Sequence, residues 1–309
     1  MHSALRARLA ARAAAACLLA SVLGSTGACA PTSPARSATS APKKRLAWKE
    51  SWRPFQLGDY VWTAAVLAGY LSLELRPAAP VAKWRGPILF DAKAQRALAA
   101  DTRDERLRWA KTSDWGWRIN GVSAWATPLI VPLFEGLDWR LSWQLVMMNA
   151  QSYGFTGLVT RSGHVFVGRE RPNTEVCNAS NGSSASVLCF GGENASFPSG
   201  HASGAFTGAG LSCVHHLELG LFGHVAADAS WCAALLGLAT FTGLGRNVAD
   251  FHYMSDTLLG AALGLASGVG GPLLFHYGLG DSELAAPSRA GWTIVPLDSG
   301  IGLSLVGTM

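Results

Sequence analysis

Charge is scarce in this 309-residue chain: Asp, Glu, Lys and Arg make up 15% of it, against 49% hydrophobic residues. Ordinary soluble domains carry about 25% charge, and a chain this apolar with so little net charge is not an intrinsically disordered one. No repeat period runs through the 35 glycines and 14 prolines, which excludes collagen-like and solenoid architectures. Positive charge is also short once it is located. The formal charge of +5 includes Arg6, Arg8 and Arg12 at the amino terminus, and without them 22 basic residues face 20 acidic ones. That balance leaves no footprint for nucleic acid. Lysine is absent after Lys111, and none of the six cysteines has metal-ligand spacing. What remains is an apolar chain long enough for one large domain with a real core.

The amino terminus reads as an address. Three arginines precede the uncharged run Ala13 to Ala28, which ends in small residues, the pattern of an export signal over 1–28. Two processing readings compete. Ala28-Cys29-Ala30 fits ordinary cleavage, although Pro31 follows it. Gly27-Ala28-Cys29 resembles a bacterial lipobox with Cys29 as the lipidated residue, although Thr26 stands where an aliphatic residue is usual. An uncleaved anchor helix is the third reading. The stretch after Cys29 is rich in Ala, Ser, Thr and Pro and predicts a disordered tether over 29–57. In an exported chain Cys177 and Cys189, which flank the polar stretch NASNGSSASVL, are expected to close a surface loop by a disulfide, with two free thiols as the alternative. Cys213 and Cys232 lie in apolar segments and read as small core residues.

The body reads as helices. Uncharged apolar stretches run over 60–73, 119–134, 141–160, 202–217, 229–245 and 257–280, with an Arg-rich charged segment at 76–118. At the carboxy end, 292–297 and 301–306 read as two short strands around a turn. The expected fold is therefore all-α, about six core helices over 58–280, with a small β-hairpin in the tail 281–309. Most apolar stretches are shorter than the 20 residues or so that span a membrane. The glycine series Gly204/Gly208 and Gly260/Gly264/Gly268 predict close helix packing, in membranes or outside them.

Three polar islands interrupt these helices: Gly168-Arg169-Glu170-Arg171-Pro172, Ser196-Phe197-Pro198-Ser199-Gly200-His201, and Gly245-Arg246 through His252 to Asp256. Singly, each has a bland reading as a cap, a turn or a structural histidine. If consecutive helices alternate in direction, however, all three lie at one end. Arg171 and Arg246 then offer two planar forks for phosphate oxygens. Ser199 and Gly200 open a helix whose amides suit an anion, and His252 and Asp256, four residues apart, would share a helical face. Two histidines around an anion cradle suit a nucleophile and a proton donor at a phosphoryl centre.

The three islands resemble the pattern of the type 2 phosphatidic acid phosphatase (PAP2) and vanadium haloperoxidase superfamily: Lys-x6-Arg-Pro, Pro-Ser-Gly-His, and Ser-Arg-x5-His-x3-Asp. The likeness covers roughly residues 58–275. It implies a helical phosphatase in which His252 takes the phosphoryl group as a phosphohistidine, Asp256 orients it, and His201 protonates the leaving oxygen. Arg171, Arg246, Ser199 and Gly200 would hold the phosphate, with no cofactor or metal. Two positions depart from the pattern. His164 stands at the lysine and would supply its charge only when protonated, Arg169 being a further cation that could compensate; Gly245 stands at the serine. The resemblance implies hydrolysis of a lipid-linked or small phosphomonoester or diphosphate at a bacterial, periplasm-facing site, with membrane association through a lipid anchor or through helices. Haloperoxidase activity with vanadate in the cradle, or phosphate and lipid-headgroup binding without turnover, are the alternatives. If 60–73 were a first span after a cleaved signal, the ten Lys and Arg of 76–118 would be cytoplasmic and so would the site. An exported helical bundle removes that conflict.

Overall fold

A computed structural model describes residues 46, 48–134, 139–174 and 194–278, together with the backbone of 291–297 and 300–306. The export signal, Cys29 and the Cys177–Cys189 pair lie outside the described residues.

Local chemistry sets the helix starts. Helix α1 (Leu57–Glu74) begins where the Gln56 amide donates to Asp59 at 2.8 Å while Arg53 grips the same carboxylate with both terminal nitrogens. After the short α2 (Asp91–Leu98), helix α3 runs for 32 residues (Arg103–Phe134) from a Thr102/Glu105 capping pair. Residues 103–118 of the charged segment and the second apolar stretch thus form one helix. Helix α4 (Trp139–Ser162) widens into a π turn (Gly163–Val167) and stops at Gly168, whose φ of +60° suits glycine. Helices α5 (Gly200–Leu219), α6 (Val225–Val248) and α7 (Met254–Leu265) follow, and α7 continues through π turns at Ala266–Gly270 and Leu273–Tyr277.

The all-α expectation holds: each apolar stretch falls in a helix, the last of them as far as Tyr277. The helices outrun those stretches because their polar ends keep helical backbone. Two segments, Val225–Val248 and Met254–Tyr277, are long and apolar enough to cross a membrane. Much of the outer surface is apolar as well, including Leu57, Leu75, Trp115, Val122 and Trp139.

Helix α5 is the buried axis, packed by α3, α4, α6 and α7. The glycines of α7 let that helix approach closely: a Cβ on Gly260, Gly264 or Gly268 would come within 2.6 Å of the carbonyl oxygens of Ser199, Ser203 and Thr207. Hydroxyls that this packing buries satisfy one another, as where Thr156 meets both Thr207 and Ser267.

Three expectations need correction. The end of the proposed tether is packed: Trp52 and Phe55 are buried against Leu141, Leu145, Met148 and Tyr277, because aromatic residues bury more apolar area than a solvated linker would leave exposed. Cys213 on α5 and Cys232 on α6 form a disulfide, their Cα atoms 4.5 Å apart, where two separate core thiols were expected. The helical body gives the C-terminal hairpin no support. Gly291–Leu297 and Gly300–Val306 run antiparallel to each other, but among the described residues no strand joins the helices.

Candidate active site

Five elements meet at one end of α5: the π turn after α4, the start of α5, the last turn of α6, the turn into α7, and the middle of α3. Ser199 is the N-cap of α5. Its Oγ accepts from the Ala202 amide, and its own N–H donates to Asp256 O at 3.0 Å, joining the starts of α5 and α7. Arg171 and Arg246 both lie over the Phe251 ring, 5.2 and 5.1 Å from its centroid. The Nε atoms of both arginines are buried with no hydrogen-bond partner among the described residues. A pair of desolvated cations of this kind calls for an anion.

His252 is buried beside them, in the turn preceding α7. Its Nδ1 stands 2.7 Å from the carbonyl oxygen of Ser196. A carbonyl only accepts, so the proton is assigned to Nδ1, and Nε2 keeps its lone pair. Burial, with Arg171 and Arg246 nearby, holds the imidazole well below its usual pKa, hence neutral.

Asp256 departs from its expected place. His252 is not on α7, so the two do not share a helical face. Asp256 instead sits in the first turn of α7, where Oδ2 accepts the Tyr253 amide (3.0 Å) and the Ser196 hydroxyl (2.6 Å), and Oδ1 takes Arg169 at 2.5 Å. Its link to His252 runs through Ser196, whose hydroxyl meets Asp256 and whose carbonyl meets His252.

Arg169 does not reach toward the cradle. It is 0% exposed, its guanidinium shared between Asp256 and Asp91 (2.8 Å) and held 4.2 Å from the centroids of both the Trp84 and Tyr253 rings. With both terminal nitrogens committed to these carboxylates, and only Nε unpartnered among the described residues, this cation cannot replace the missing lysine. His164 does not replace it either. It is buried, and its Nε2 donates to the Pro198 carbonyl oxygen at 3.0 Å. Burial first, then the charge of Arg171 and Arg161, pushes its pKa down to about 4. The imidazole is a neutral brace beneath the Pro198-Ser199-Gly200 turn. Gly245 has a packing reason: a Cβ there would stand 3.0 Å from Ser113 Cβ, so a serine would crowd α3.

A pH dependence follows from His164. Its folded pKa of about 4 lies below the 6.5 of an unfolded imidazole. Between those values the unfolded chain binds more protons, so this contribution is present above pH 6.5 and lost as the pH falls toward 4. His164→Gln keeps an N–H donor and cannot titrate. Thermal or chemical unfolding of both proteins across pH 4 to 7 is expected to show a slope smaller in the variant by up to about 1.4 kcal/mol per pH unit. Equal slopes would mean that His164 titrates in the folded protein as it does in the unfolded chain.

His201 lies at the mouth, in the first turn of α5. Nε2 stands 2.9 Å from Asp114 Oδ1, and Arg246 Nη2 lies across the ring edge against both nitrogens, 2.7 Å from Nδ1. The same Asp114 oxygen takes Arg246 Nη2 at 2.9 Å. Burial, opposed by Asp114 and reinforced by Arg246 and Arg171, brings His201 down to about 4 in the empty site. Trp117, one turn beyond Asp114 on α3, packs on the His201 ring at 5.3 Å.

The structure thus gathers Arg171, Arg246, Ser199, Gly200, His201 and His252, sets His164 beneath them, and places Asp256 behind Ser196. Sequence reasoning missed Asp114, Ser196 and Asp91. Asp114 left one trace, as the sole acid between Glu105 and Glu135 in a long helix. Among the described residues no group of three His, Cys, Asp or Glu side chains is placed to hold a metal.

Two histidines and two arginines from separate elements thus converge at one end of a helical bundle. Over residues 143–278, a range that includes Arg171, the start of α5, Arg246, His252 and Asp256, the chain matches the family model of the PAP2 superfamily. The lipid A 1-phosphatase of Porphyromonas gingivalis is 28% identical over 177 residues, 54% of this chain and 33% of that protein. The chain therefore spans about a third of the length of this curated relative. No solved structure matches the chain.

Proposed function

We propose that the chain is a membrane-associated phosphatase that hydrolyses a lipid-linked phosphomonoester or diphosphate through a phosphohistidine, at an exported, periplasm-facing site. The observation that carries this reading is the neutral His252, its Nε2 unprotonated, between two arginines with desolvated, unpartnered Nε atoms. Phosphate oxygens would be met by Arg171, Arg246 and the free amides at the start of α5. His252 Nε2 attacks phosphorus as the bond to the leaving oxygen breaks, and His201 gives that oxygen a proton. Water then attacks phosphorus, the P–N bond breaks, and the proton of the water returns to His201. The arriving dianion draws Arg246 off the His201 ring, which lets His201 take up the proton it donates.

A lipid substrate is favoured over a small one by an open, largely apolar groove of about 630 Å³ beside the site, lined by Trp117, Arg118, Val122, Trp125, Leu129 and Tyr153 and floored in part by Gly121. Trp117 belongs to both the cavity and the His201 wall. The apolar outer surface and the two long apolar helices support membrane association. The match to a lipid A 1-phosphatase points the same way. We assign the catalytic domain to 58–280, behind the export signal at 1–28 and a lipid-bearing Cys29.

The direct test is phosphate release from lipid and water-soluble phosphates, with and without EDTA. Release from lipid phosphates, unchanged by EDTA, is the expected result; no release from any substrate would overturn the reading. A finer test fills the cavity. A Cβ on Gly121 meets nothing closer than Tyr153 Oη at 3.8 Å, so the side chain of Gly121→Leu starts in ordinary contact distance at a residue that lines the groove. KM for a long-chain lipid phosphate is expected to rise about tenfold, with a short soluble ester unaffected. Equal effects on both would argue against a tail site.

A further inference from the structure

We infer that Asp114 is the positioning residue of the proton donor: it backs His201 at Nε2, which leaves Nδ1 as the nitrogen that exchanges a proton at the cradle. The inference rests on the phosphatase reading for its catalytic meaning, but the geometry stands by itself. Asp114 comes from α3, outside residues 143–278 and outside all three polar islands. Its Oδ1 lies 2.9 Å from His201 Nε2 and 2.9 Å from Arg246 Nη2.

These partners fix the tautomer. A carboxylate with two cationic or N–H neighbours accepts from both, so Nε2 carries the proton. Nδ1 then keeps the lone pair, with Arg246 Nη2 set against the ring edge and touching both nitrogens. Asp114 is itself suited to stay ionised: burial raises its pKa, but the His201 bond and the charges of Arg246, His201 and Arg118 outweigh this and hold it low. Position is held twice, by the Asp114 bond on one edge of the ring and by Trp117 on its face.

The charged state of His201 depends on the same contact. The titratable groups acting on the ring are Arg246 on α6, Arg171 after the π turn, His164 in the π turn, His252 before α7, and Asp114 on α3. Arg246 and Arg171 oppose protonation, and Asp114 favours it. When the proton arrives at Nδ1, the imidazolium is paired through Nε2 with a carboxylate already in place. The proton then passes from Nδ1 to the leaving oxygen, and the neutral tautomer is restored with no movement of Asp114.

Two readouts test this. The first needs no turnover: ¹⁵N NMR of the imidazoles in the empty full-length protein, with His201 assigned by His201→Gln. The wild type is expected to show the Nε2–H tautomer, and Asp114→Asn to lower the His201 pKa by about one unit. The second is kcat against pH. The limb on which His201 loses its proton is expected about one unit lower in Asp114→Asn, which gives about tenfold lower kcat above it with KM within about threefold. Asp114→Glu is expected to recover most of the loss, which a purely structural role would not predict. An unchanged His201 tautomer and pKa in folded Asp114→Asn would overturn the inference. A wild type with the expected NMR signature and no turnover would overturn the phosphatase reading while leaving the Asp114–His201 coupling intact.

Discussion

Replacing His252 with alanine is expected to abolish turnover, with a loss of about ten-thousandfold or more, because the other imidazole at the cradle, His201, has its Nδ1 lone pair against Arg246 and serves as the proton donor in the proposed mechanism. Its Nδ1 proton is held by Ser196 O, so the reactive Nε2 is defined before substrate arrives. Acid-labile phosphoenzyme should be trapped from the wild type and not from the variant. Asp256→Asn is expected to leave measurable activity, since its bonds reach His252 only through Ser196 and the asparagine carbonyl can still accept from the Ser196 hydroxyl. Wild-type activity in His252→Ala would sink the covalent mechanism, and equal losses in both variants would mean that Asp256 acts on His252 more directly than through Ser196.

Arg169→Met is expected to destabilise the fold by about 3–5 kcal/mol, the cost of leaving buried carboxylates without their counter-charge. Asp91 and Asp256 are both 0% exposed, and Arg169 is the cation between them. Asp91 also accepts the Ser255 amide and hydroxyl, so losing Arg169 would loosen the start of α7 and with it the turn that carries His252. Denaturant or thermal unfolding measures the effect. Asp91→Asn added to Arg169→Met should cost much less than Asp91→Asn alone, because the charge it removes has already lost its partner. The opposite pattern, full stability with weakened phosphate affinity, would make Arg169 a substrate ligand and the replacement for the lysine that the family pattern has at His164.

Much of the cradle was legible because its residues come in short runs beside helix ends. Pro198 to His201 contain the N-cap, the free amides and a histidine within four positions, and local chemistry alone places them at a helix start. The apolar stretches gave the helices for a similar reason, since burying each of them demands a continuous face. Helix lengths were less legible. The charged residues 103–118 continue α3 because a helix needs only part of its surface to be apolar.

The partners chosen by each charge lay beyond such reasoning. Arg169, Arg171 and His164 are close in sequence, yet one is a buried structural cation, one faces the cradle, and one is a neutral brace. The difference lies in Asp91, Phe251 and Pro198, which approach from other elements. Spacing suggested an Asp256–His252 contact that the turn before α7 breaks, because the four-residue rule holds only where the backbone is helical.

By itself the sequence determined the helical class, the short polar runs at the helix ends, and the end of the bundle where they gather. Each of these depends on local periodicity, capping or residue chemistry. Only the tertiary structure decided that Asp114 backs His201 across 87 residues, that Arg169 is spent on Asp91 and Asp256, and that Cys213 joins Cys232. The reason is physical: a buried charge or thiol takes the partner that packing brings within a few ångströms, and that partner is fixed by how close neighbouring helices can approach, here along the glycines of α7.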